Sequence, residues 1–118
     1  MNEELVRHIS RKPNQNALNR TDPHLPDMPI VYASEAFLKL TGYDGRRVLG
    51  HNCRFLSGMD TDPTVQLQIK ECIRTKQPCT VLILNYRKDG ISVWNFLHVS
   101  LVKNASGKVA YCWLSDRR

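Results

Sequence analysis

The sequence predicts an α+β fold, an antiparallel sheet with helices packed on one face. Three observations carry this. Capped helical segments occupy residues 34–75. Strand-like runs with alternating faces follow from Cys79 onward. Loops containing glycine, RKDG and NASG, join those runs, so neighbouring strands pair antiparallel. At 118 residues the chain is one domain with room for a real core.

Each element has a local reason. Residues 1–20 are polar and carry Pro13, Asn14, Asn16 and Asn19, so they read as a tail that precedes a domain over residues 21–118. TDPHLPDMP, residues 21–29, is turn chemistry with three prolines and two aspartates. IVYAS is a short apolar strand whose last residue, Ser34, caps the helix EAFLKLT, and Gly42 ends that helix. Phe37, Leu38 and Thr41 form its inner face. YDGRRVLG holds one more turn of helix before Gly50. Asp62 and Pro63 open a longer helix, residues 63–75, with Val65, Ile69, Cys72 and Ile73 as its apolar stripe. Strands follow over residues 79–86, 91–102 and in KVAYCWLS.

Composition bounds the function. The net charge of +6 admits an anionic partner, but Arg7, Arg11, Lys12, Arg20, Arg117 and Arg118 place much of it near the ends, without an aromatic-interleaved basic stripe. Specific nucleic-acid binding is therefore disfavoured. No apolar run approaches a membrane span, and MNEELVRHIS lacks an apolar signal region. Cys53, Cys72, Cys79 and Cys112 form no CxxC pair and have no histidine at metal spacing, so no metal is expected. Reduced thiols in the cytoplasm or nucleus are the expectation. His51 and His98 stand in no pattern that argues for haem ligation. Asn104-Ala105-Ser106 reads as a turn, not a glycosylation site.

Two constellations remain. In GHNCRFLSG, residues 50–58, Asn52 caps a helix that starts at Cys53. Cys53 and Leu56 share a face, and Arg54 points elsewhere with its charge free for an anion. A thiol at a helix N-terminus is tilted toward thiolate reactivity; the bland alternative is a buried structural cysteine. In the strands, Cys79, Val81, Ile83 and Asn85 share one face, as do Val93, Asn95, Leu97, Val99 and Leu101. Each apolar row is interrupted by an asparagine. The two amides could satisfy one another, or both could read the polar edge of a ligand. The opposite face carries Leu82, Leu84, Trp94, Phe96 and Val102, so it should meet a helix, the tail or a second subunit.

The string GHNCRFLSG resembles the signature of LOV domains, the flavin-binding blue-light sensors of the PAS superfamily, usually close to GRNCRFLQG. TDPHLPDMPIVYASEAFLKLTGY and LNYRKDGISVWNFLHVSLV extend the resemblance over residues 21–111, most nearly to LOV modules of plant PAS/LOV (twin LOV) proteins. It implies a PAS fold with a five-stranded sheet and FMN held between sheet and helices. Cys53 would be the thiol that adds reversibly to flavin C4a in blue light. Asn52 would hold the ring and Thr21 lie near it. Leu56 and Leu97 would line the site. Arg54 and Lys70 would bind the phosphate, Lys70 without the fork of the more usual arginine. Asn85 and Asn95 would read the ring's polar edge. Ser57 replaces a glutamine, so one ligand contact is shortened or lost.

Both ends of the match depart from the pattern. The family places a strand just before Thr21, where this chain has ALNR, so the first strand is doubtful. The last strand changes abruptly from Cys112, where the family runs near F-I-G-V-Q. Leu114 takes the glycine position and Asp116 that of the glutamine beside flavin N5 and O4. The two atypical strands would pair beside the ring. The reading is a photoreceptor domain and no enzyme, signalling to a protein partner or homodimer through the outer sheet face. The alternative is a LOV-derived PAS interaction module that binds flavin weakly or not at all.

Overall fold

A computed structural model describes residues 17–116. Along the chain come β1 (Leu18–Thr21), β2 (Ile30–Ala33), α1 (Glu35–Thr41), α2 (Gly45–Val48), a 3₁₀ turn (Cys53–Leu56), α3 (Pro63–Arg74), β3 (Cys79–Tyr86), β4 (Ser92–Lys103) and β5 (Val109–Asp116). The strands form one five-stranded antiparallel sheet in the order β2-β1-β5-β4-β3, so the predicted α+β architecture holds. Helix ends follow the sequence signals. Ser34 Oγ accepts from Phe37 N–H, Asp62 accepts from Thr64 N–H, and Gly42 closes α1 at φ 78°, where a side chain would be strained.

The first strand, doubtful from its sequence, is formed. β1 lies inside the sheet with β2 on one side and β5 on the other, so its backbone is paired along both edges. That pairing overrides the weak strand preference of Asn19 and Arg20. Arg20 also finds an aromatic seat, its guanidinium 4.6 Å from the Tyr111 ring centroid and 5.7 Å from that of Trp113. The expected pairing of the two atypical strands is present, and β5 is the central strand. Of the tail expected over residues 1–20, residues 1–16 lie outside the described residues and residues 18–20 belong to β1, so the domain starts before Thr21.

The inner sheet face supports two apolar clusters. Ile69 of α3 meets Val81, Ile83, Val99, Cys112 and Leu114 in one. Ile30, Phe37, Val48 and Leu56 form the other. Burying each such side chain contributes about 1.5–3 kcal/mol. Cys53 packs against both clusters, so the 3₁₀ turn joins them.

The loop after that turn lies flat on β3. Thr61 Oγ1 donates to Leu84 O (2.6 Å) and accepts from Gly58 N–H (3.0 Å), and Tyr86 Oη accepts from Asp60 N–H (3.0 Å). A Cβ at Gly58 would stand 2.5 Å from the Tyr86 ring. Gly58→Ala is therefore expected to cost about 1–3 kcal/mol, read as a lower urea midpoint. An unchanged midpoint would show that the loop gives way freely.

On the outer face the cross-strand pairs Leu82–Phe96 and Leu84–Trp94 stack neighbouring apolar groups. Leu82, Trp94 and Phe96 are exposed, at 54 %, 55 % and 46 %. Among the described residues no helix is long and apolar enough to cross a membrane.

Candidate functional site

Between the inner sheet face and the helices lies a cavity of about 760 Å³, the size of a pocket for a cofactor. All the proposed site residues line it except Thr21. The 3₁₀ turn supplies Cys53, Arg54 and Leu56, flanked by Asn52 and Ser57. Lys70 comes from α3, and the sheet contributes Asn85, Asn95, Leu97, Leu114 and Asp116. Thr21 shares the inner face but sits opposite Cys112, outside the cavity wall. β1 itself contributes Asn19 to the wall, and the loop after it contributes Pro23 and Leu25.

The amide pair makes contact. Asn95 Nδ2 donates to Asn85 Oδ1 at 2.6 Å, although Asn95 faces Ile83 and Asn85 faces Val93 across the strands. One polar end of Asn85 is thereby used, and both amides still border the cavity. Mutual support is thus present, and both side chains stay at the cavity wall.

Two expectations about the 3₁₀ turn change. Arg54 is not free for an anion: its Nη2 pairs with the Asp27 carboxylate, which raises the guanidinium's affinity for its proton. Nor is Cys53 thiolate-like. Burial pushes its thiol up to about 11, against smaller opposing contributions from a backbone hydrogen bond and Arg54. A turn of four residues has too small a dipole to offset that desolvation. Cys53 therefore stands in the cavity wall as a protonated thiol.

Asn52 works within the protein. Its Oδ1 accepts from Arg54 N–H at 3.0 Å, and its Nδ2 donates to Asp27 O at 2.7 Å. It ties the turn carrying Cys53 to the loop before β2, where Asp27 and Met28 hold positive φ. Lys70 is exposed at the rim and makes no ion pair among the described residues.

Sequence reading missed four polar members of the wall: Asn19, Asp27, Gln66 and Arg74. Gln66 lies one turn before Ile69 and Lys70, at the margin of the apolar stripe of α3, which is the signal that could have found it. Its Nε2 donates to Ser57 Oγ, so the shorter side chain at Ser57 is met by an amide from α3. Among the described residues no cluster of side chains suits a metal ion.

A sheet covered on one face by short helices, with a cofactor-sized cavity between them, defines a PAS-type sensor domain. The PAS domain family matches residues 24–117. A solved light-oxygen-voltage domain, studied with a flavin analogue, superposes with a TM-score of 0.91 at 40 % identity, covering 98 % of this chain and 84 % of that one. The light-state Aureochrome1 LOV structure gives 0.82 at 40 % identity over 90 % of this chain and 83 % of that one. The chain belongs to the LOV domains of the PAS family.

Two curated relatives set the wider context. Protein TWIN LOV 1 of Arabidopsis thaliana is 66 % identical over 93 residues, 77 % of this chain and 23 % of that protein. A blue-light-activated histidine kinase of Brucella ovis is 52 % identical over 91 residues, 77 % of this chain and 19 % of that protein. The chain thus spans about a fifth of these relatives. The kinase corrects one expectation. A region of this kind is built into an enzyme, so the exclusion of enzymatic activity for the protein does not stand.

Proposed function

We propose that this chain is a blue-light sensing domain that holds FMN in the cavity and uses Cys53 as its photoreactive thiol. The observation that carries the reading is the placement of Cys53, a thiol kept protonated in the wall of a cofactor-sized cavity that the Asn85–Asn95 pair also borders. The residues fit the cofactor. Ile83, Leu97 and Leu56 offer apolar surface to a flat ring, the amides offer donors and acceptors to its polar edge, and Lys70 offers charge to a phosphate at the rim. A bound flavin would supply a ring that absorbs blue light and a carbon, C4a, open to reversible addition of a thiol.

The chain's own residues set the conditions for that event. Cys53 holds its proton on Sγ in apolar surroundings, and the cap from Asn52 fixes the turn that aims it. Asp27 competes for Arg54, so a phosphate must share or displace that carboxylate. Output would pass through Leu82, Trp94 and Phe96 on the outer face to a protein partner or a second copy. Free thiols at all four cysteines suit the cytoplasm or nucleus.

A visible absorption spectrum before and after a blue-light pulse tests this. A structured flavin band that bleaches and recovers in the dark is expected. A folded protein that stays colourless with added FMN would replace the reading by the interaction module, for which Leu114 and Asp116 in the cavity wall are the argument.

A further inference from the structure

Asn19 is the one described residue whose side chain is almost wholly buried in the cavity wall, at 2 % exposure, while its carboxamide oxygen has no hydrogen-bond partner among the described residues. Leaving such an oxygen buried and unpaired is costly. The strand cannot turn it away. Asn19 is registered against Ala33 of β2 and Leu114 of β5, so its backbone direction is fixed from both sides. Its partners across the strands are apolar and offer no proton.

We propose that Asn19 is a ligand-binding residue of this cavity, its carboxamide oxygen accepting a hydrogen bond from an N–H or O–H group of the bound flavin. The inference rests on the flavin reading above and extends it to a residue that looks out of place in its strand. A flavin nucleotide carries both kinds of donor, on the ring and on the polyol chain. The buried acceptor is then a feature kept for the loaded state at the expense of the empty one.

That gives two readouts of opposite sign. In Asn19→Leu, nearly isosteric and without polar atoms, the ligand-free protein should unfold at a higher urea concentration, because the orphan oxygen is gone. The same variant should bind FMN about tenfold more weakly by fluorescence titration, the loss of one hydrogen bond. Asn19→Val, which suits a strand, should repeat both effects and serves if the leucine variant misfolds. Unchanged or tighter FMN binding in a folded variant would overturn the proposal and assign the oxygen to water. If the native protein itself binds no FMN, the proposal and the photosensor reading fall together, which separates that outcome from a failure of Asn19 alone.

Discussion

Cys53→Ala should keep the flavin absorption band and lose blue-light bleaching entirely. The side chain meets both apolar clusters, so its removal leaves a small void costing about 1 kcal/mol, too little to empty the cavity. Bleaching at any appreciable fraction of the native amplitude would remove Cys53 from its role. Loss of the band as well would show that the thiol holds the cofactor, not only its photochemistry.

The same residue makes a pH statement. Its folded thiol is pushed from 9.0 up to about 11 by burial. A group whose folded value is raised contributes stability below its unfolded value and loses it as pH rises through the folded one. Native bleaching should thus persist through pH 9. Cys112, likewise pushed up to about 11 by burial, shares the decline in stability between pH 9 and 11, so Cys53→Ala should flatten that decline only in part.

Much of this was legible because the signals were local. Ser34, Gly42, Asp62 and Pro63 mark helix ends through chemistry that acts within a few residues. Alternation placed Asn85 and Asn95 on the cavity face, and register then brought them within hydrogen-bond reach. What escaped depended on partners distant in sequence. β1 forms because β2 and β5 flank it, and nothing in ALNR announces them. The engagement of Arg54 by Asp27 spans 27 positions. The thiol of Cys53 answers to burial by two clusters, a sum over the fold that its helix-start position cannot foretell. Asn19 looked like a fault in a strand; in the folded chain it is a polar atom set in a cavity wall.

Leu114→Ala should destabilise the ligand-free protein by about 2–5 kcal/mol, a large part of a small domain's total. Leu114 is 1 % exposed on the central strand, registered against Asn19 on one side and Val99 on the other. It belongs to the cluster that joins α3 to the sheet and also borders the cavity, so its side chain serves as core filling and as floor. Those two roles give opposite signs. Truncation leaves a void in the empty protein, but it lets a flat ring approach the β5 backbone more closely. FMN affinity should therefore rise as stability falls, and saturating FMN should restore part of the lost unfolding midpoint by mass action. Urea unfolding with and without FMN, together with a binding titration, reads both. Weaker FMN binding in a folded variant would mean that Leu114 supports the ring, and that its bulk is a fitted part of the site.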